Sequence, residues 1–212
     1  MLELYSIPVS LYCAKTRILL RHKGISWTEI EPPGGYGSDV YRAVVPAGNL
    51  PALRAGDLMV TDSESIAEYL DEAYPDPPAM PRMAAARALV RNRSRFHDTR
   101  LEPSVRALFP YLPGRETPSA ELLQAHSAKI SAFLEDMLLH LEDDPTAGEA
   151  LSLGDCGYPI TFAWLDAMTP RMGLHLKWPE KIIAYRWRLQ NLPPVAAELA
   201  SYKPKLAQFL DG

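Results

Sequence analysis

Apolar and polar positions change rhythm along this chain, and the change divides it. In the first third, short alternating runs trade places with helical spacing. Leu2-Glu3-Leu4-Tyr5-Ser6-Ile7 alternates imperfectly and predicts a strand. Tyr12 to Lys23 suits a helix, with Gly24 as its stop signal. Ile25 to Ile30 alternates cleanly and predicts a second strand, and Pro32 to Gly37 reads as a loop. Ser38 to Val44 suits a short helix capped by Ser38 or Asp39. Pro51-Ala52-Leu53-Arg54 and Leu58-Met59-Val60 flank Ala55-Gly56-Asp57, the pattern of a hairpin. From Ser63 to Tyr74 the apolar residues Ile66, Tyr69, Leu70 and Ala73 keep the i, i+3, i+4 spacing of a helix. The order βαβ-α-ββ-α implies a four-stranded mixed sheet, because a βαβ unit is parallel and a hairpin antiparallel.

Pro75-Asp76-Pro77-Pro78 interrupts this rhythm, and beyond it no alternating run predicts a strand. Arg82 to Leu112 reads as one long helix bent near Pro103, and Pro118 to Glu142 as a second. Thr161 to Met172, Lys181 to Leu192 and Val195 to Tyr202 complete an all-helical region, in which Trp164, Trp178 and Trp187 are expected in the core. The expected division is an α/β domain over 1–75 and an all-α domain over 82–212, joined through Pro75 to Pro81. A chain of 212 residues accommodates both.

Charge alters the picture little. Residues 1–78 carry eleven acidic and six basic side chains, and the remainder fifteen and sixteen, so no basic stripe suits nucleic acid. No run of about 18 apolar residues spans a membrane. Without an export signal, and with only Cys13 and Cys156 far apart, a reduced cytoplasmic protein is expected. The histidines His22, His97, His126, His140 and His175 show no ligand spacing, so no metal is expected. Gly34-Gly35-Tyr36-Gly37 lacks the lysine of a phosphate loop and reads as a turn.

Three short stretches carry candidate chemistry. Ser10-Leu11-Tyr12-Cys13-Ala14-Lys15-Thr16-Arg17 opens a helix after a strand, so Ser10 either caps that helix or donates to an anion such as a thiolate. Asn49-Leu50-Pro51-Ala52-Leu53 places a proline just before an antiparallel strand, where a cis bond would turn the Leu50 N–H and C=O outward toward an extended peptide. Asp62-Ser63 begins a helix: a simple cap, or a hydroxyl and helix N-terminus for a carboxylate beside an acid for an ammonium.

In register, these three stretches resemble the glutathione transferase superfamily, serine-type, with theta-, zeta- and tau-like bacterial character. The Ser10 segment resembles its active-site turn, and Asn49 to Leu53 its cis-proline loop. Asp62-Ser63-x-x-Ile66-x-x-Tyr69-Leu70 resembles its γ-glutamyl segment, with Asp where Glu or Gln is usual. Ser152-Leu153-Gly154-Asp155 resembles its structural capping box. The resemblance implies a thioredoxin-like N-terminal domain that binds glutathione as co-substrate, a helical domain contributing the electrophile pocket, and a homodimer.

Carried over residue by residue, it implies that Ser10 hydrogen-bonds the glutathione sulfur and that Leu50 pairs with the cysteinyl moiety beside Pro51. Asp62 and Ser63 would hold the γ-glutamyl end, and Asn49 would reach the glycyl end. Tyr5 is a rival donor and Cys13 a rival nucleophile, the latter read as a packed apolar residue. The electrophile is expected between the Ser10 turn and the first long helix of the second domain, near Tyr12, Phe96 and Arg100. Conjugation of a small electrophile is the leading activity. A glutathione-dependent isomerase or dehalogenase, and a non-catalytic binding protein of the same fold, are the alternatives.

Overall fold

The computed structural model describes residues 1–112, 115–144, 147 and 149–212. Contacts divide the chain into two compact units, Met1–Ala79 and Met80–Gly212.

The first unit runs β1 (Leu2–Tyr5), α1 (Leu11–His22), β2 (Trp27–Ile30), α2 (Asp39–Val44), β3 (Ala52–Ala55), β4 (Leu58–Thr61) and α3 (Ser63–Ala73). Its sheet has the order β2-β1-β3-β4, with β1 parallel to β2 and both other pairings antiparallel. This is the mixed sheet expected from the order of elements. Leu2 and Leu4 of β1 are buried while Glu3 is not, the alternation a strand lying on a core requires. The hairpin closes through Gly56, whose φ of +62° suits a turn position that a Cβ disfavours.

Helix α1 buries Ile18, Leu19 and Leu20, and helix α3 buries Ile66, Ala67 and Leu70. Two ion pairs tie the helices together. Lys15 near the start of α1 pairs with Glu64 near the start of α3, and Lys23, just past the end of α1, meets Asp71 at 2.6 Å. Start pairs with start and end with end, so α1 and α3 run parallel and their N-termini lie at the same end.

The second unit contains α4 (Ala84–Phe96), α5 (Glu102–Arg106), α6 (Ala120–Glu142), α7 (Tyr158–Met172), α8 (Glu180–Asn191) and α9 (Pro193–Asp211), with no strand among its described residues. The long helix expected over Arg82 to Leu112 is instead interrupted. A wide π-helical turn over His97–Leu101 separates α4 from α5, and a 3₁₀ turn follows at Phe109–Tyr111. Pro103 follows the wide turn directly within a continuous αR backbone, so the widened turn accommodates its missing N–H and ring, whereas Pro110 has no donor for the Arg106 carbonyl and the helix stops. Helix α9 outruns the expected Val195 to Tyr202 and continues through Pro204, because Leu199, Tyr202, Leu206 and Leu210 keep one apolar face buried.

The tryptophan expectation needs correcting. Trp164 is buried and its indole N–H donates to the Tyr202 hydroxyl at 2.7 Å, while Trp178 is only half-buried, edge-on to Phe162. Trp187, however, is 63% exposed on α8.

A buried polar network organises this unit. Arg93 is buried between Asp144 at 2.8 Å and Asp155 at 3.2 Å, and donates to the Ser152 hydroxyl at 2.9 Å. Ser152 and Asp155 close both halves of a capping box, and Tyr185 donates to Asp155 at 2.6 Å. The capping box is therefore structural. Among the described residues, no helix is long and apolar enough to cross a membrane.

Candidate functional site

The sheet register gathers the candidate residues. Tyr5 lies opposite Ile30 on one side and Ala52 on the other, and Ala52 opposite Thr61. The row Ile30–Tyr5–Ala52–Thr61 is thus one edge of the sheet. From that edge leave the turn carrying Ser10, the loop carrying Asn49, Leu50 and Pro51, and the step into α3 carrying Asp62 and Ser63. Residues separated by as many as 53 positions, Ser10 to Ser63, come to one edge because β1 pairs with β3 and β3 with β4.

Ser10 is the N-cap of α1, with φ −67° and ψ 124°, and its hydroxyl oxygen accepts from the Cys13 N–H at 3.3 Å. Capping uses the oxygen lone pair and leaves the hydroxyl proton available to donate. The turn is braced from behind. Arg17 donates to the Pro8 carbonyl at 3.3 Å and lies 3.6 Å from Glu29, which also accepts from the Ser6 hydroxyl at 2.6 Å. A donor at the positive end of a helix lowers the cost of holding a thiolate.

Both rivals to Ser10 are buried. The Tyr5 hydroxyl accepts from Arg54 at 2.6 Å, and its ring packs against Tyr41 in a cluster with Val45 and Ala52. Cys13 is fully buried, and burial pushes its thiol above the ordinary value despite the Ser10 hydrogen bond and nearby Arg17.

The Leu50–Pro51 bond is cis, as is Asp76–Pro77. The Tyr41 hydroxyl donates to the Asn49 carbonyl at 2.7 Å, fixing the loop, while the Leu50 side chain packs on the Tyr5–Tyr41 cluster. Among the described residues the Asn49 Oδ1 is buried without a hydrogen-bond partner. An orphaned acceptor of this kind is costly unless something donates to it.

Asp62 caps α3, its carboxylate accepting from the Glu64 and Ser65 N–H groups at 3.0 and 3.1 Å. It does so with φ +79°, the one non-glycine residue with positive φ among those described. Such a conformation costs about 1–3 kcal/mol, and residues that keep it cluster at functional sites. Ser63 is buried beside it, one residue from the Glu64 that pairs with Lys15.

The three electrophile-pocket candidates fall in different units. Tyr12 lies in the first turn of α1. Phe96 ends α4 with its ring 4.7 Å from His140 and 6.0 Å from Phe133, and Arg100 is exposed on the π-helical turn. Among the described residues, no group of three or more His, Cys, Asp or Glu side chains suits a metal ion.

Periodicity did not single out Lys15, Glu64, Lys23 or Asp71. Charged residues on a helix usually read as a solvated face, and only the packing of α1 on α3 turns these into buried pairs.

Residues 4–78 match the model of a family described as "Glutathione S-transferase, N-terminal domain". Glutathione S-transferase Z2 of Arabidopsis thaliana is 30% identical over 161 residues, covering 73% of this chain and 72% of that protein. A Stringent starvation protein A homolog from Pasteurella multocida is 39% identical over 87 residues, a match spanning 41% of each chain. The solved Tau class glutathione S-transferase of mango, Mangifera indica, superposes with a TM-score of 0.82 at 20% identity, covering 99% of this chain and 97% of that one.

Proposed function

The chain belongs to the glutathione S-transferase family, and on that premise we propose that it binds glutathione at the sheet edge and transfers its sulfur to a small electrophile. The observation that carries this reading is the row Ile30–Tyr5–Ala52–Thr61, from which the Ser10, Leu50 and Ser63 segments all leave.

In this reading the tripeptide lies extended along the edge. The Leu50 N–H and C=O pair with the cysteinyl moiety as an added strand would. Ser63 and the N-terminus of α3 hold the γ-glutamyl carboxylate, Asp62 the ammonium, and the Asn49 side chain the glycyl end. Ser10 donates to the sulfur. A free thiol has a pKa of about 8.5, so donation to the thiolate raises its fraction near neutral pH. The thiol proton passes to solvent and the sulfur forms a bond to carbon. A leaving group such as halide departs, or in conjugate addition the adjacent carbon takes up a proton. The electrophile would sit toward Tyr12, in the first turn of α1.

A second reading, a glutathione-binding protein without turnover, is favoured by one feature. The Asp62 carboxylate is already engaged by two backbone N–H groups and is shorter than the usual acid, so it reaches an ammonium less directly. A homodimer in the cytoplasm completes the proposal. The alanines at 84–86 and 88 in α4 permit close approach of a partner helix.

Calorimetry with glutathione, followed by a conjugation assay over aryl halides, alkyl halides and α,β-unsaturated carbonyls, tests both readings. Binding with turnover supports transfer, and binding without turnover on any electrophile supports the second. No binding removes both.

A further inference from the structure

The Lys15–Glu64 pair stands where its charge matters. Glu64 immediately follows Ser63 in the first turn of α3, and Lys15, 2% exposed, lies one turn past Ser10 in α1. A bare carboxylate in that turn would oppose the positive helix end and repel any anion brought to Ser63. Lys15 cancels it. Burial makes the cancellation effective, because a pair shielded from water is screened far less than one on the surface. The second pair, Lys23–Asp71, has the same chemistry and joins the same helices at their other end.

We propose that Lys15 is a positioning residue for glutathione: by neutralising Glu64 it keeps the N-terminus of α3 attractive to the γ-glutamyl carboxylate. The inference rests on the glutathione site proposed above. It makes the two partners of one ion pair act with opposite sign on ligand affinity, which a purely structural tie between helices does not do.

Glutathione binding by calorimetry and the glutathione KM are measured for wild type, Lys15→Met, Glu64→Gln, the double variant Lys15→Met/Glu64→Gln, and Lys23→Met/Asp71→Asn. Expected are a rise of about tenfold in Kd and KM for Lys15→Met, with kcat within about threefold, since the contact serves a non-reacting end of the ligand. Glu64→Gln should lower Kd by a few-fold, and the double variant should return close to wild type. The Lys23/Asp71 variant should lose thermal stability and keep its Kd. Should Lys15→Met fail to fold, the sign of the Glu64→Gln effect decides alone. Weaker binding in Glu64→Gln, or unchanged Kd in a folded Lys15→Met, overturns the proposal. Failure of wild type to bind glutathione overturns the site reading itself, and is seen before any variant is measured.

Discussion

The Arg54 guanidinium donates to the Tyr5 hydroxyl at 2.6 Å, with its carbon 5.4 Å from the centre of the Tyr5 ring. A tyrosine held this way, 4% exposed and packed on Tyr41, is built into the side-chain cluster beside the sheet. Ser10 differs in place: its hydroxyl caps the N-terminus of α1, where the helix gathers positive potential.

Ser10→Ala should therefore lower kcat by about 10-fold to 1,000-fold, the scale of losing one charge-stabilising donor, while glutathione still binds. Tyr5→Phe should keep kcat within about threefold and lose stability through the Arg54 contact, about 1.5–3 kcal/mol for a hydrogen bond to a charged group. Steady-state kinetics and thermal melts on both variants check the assignment. The reverse pattern would make Tyr5 the donor.

Asp62→Asn and Ser63→Ala should raise the glutathione KM by about 10-fold to 150-fold, the equivalent of about 1.5–3 kcal/mol for a charge-assisted contact, and change kcat little. Asn is a good N-cap and nearly isosteric with Asp, so Asp62→Asn removes the charge and keeps an oxygen for the Glu64 and Ser65 N–H groups. An unchanged KM in a folded Ser63→Ala variant would reduce that segment to a helix cap.

Burial raises the Cys13 thiol above its ordinary value, and Cys156 is buried as well. Iodoacetamide at pH 8 should label neither in the native protein and both after denaturation, as mass spectrometry would register. The sign of the pH dependence follows from proton counting. Above about pH 8.5 the unfolded chain has lost the Cys13 proton and the folded one retains it. The folded state then binds more protons, and stability falls as pH rises. Urea midpoints at pH 7 and pH 9.5 should separate further for wild type than for Cys13→Ala.

The Arg93 guanidinium, which burial alone would push down, is held above its ordinary value by Asp155 and Asp144. Asp155→Ala leaves the buried Arg93 with Asp144 as its carboxylate partner and takes the acceptor from Ser152 and Tyr185. Breaking a buried pair from one side costs about 3–5 kcal/mol, so Tm should fall by about 6–20 °C. Glutathione Kd in the folded fraction should not change, which separates this network from the sheet-edge site.

Light scattering at micromolar concentration should give a species of about 47 kDa, twice the 23.6 kDa chain, with two-fold symmetry. A single species at the mass of one chain would remove the dimer from the proposal.

The sequence by itself determined the order of elements through α3, because alternation and 3.6-residue spacing are local and each segment states its own. It also marked Ser10, Leu50, Pro51, Asp62 and Ser63, since capping residues and a pre-strand proline declare themselves within a few positions. Local pattern fails where the deciding partner is remote. The long helix over Arg82 to Leu112 broke at turns whose geometry depends on proline placement as well as apolar spacing. Trp187 faces solvent because the rotation of α8 against its neighbours, not residue type, assigns its face. Only the tertiary structure decided that Tyr5 belongs to Arg54, that burial holds the Cys13 thiol protonated, and that Lys15 finds Glu64 across 49 residues. Each depends on which elements the β1–β3 and β3–β4 pairings and the parallel α1–α3 contact bring together, and such long-range contacts leave no periodic trace in the chain.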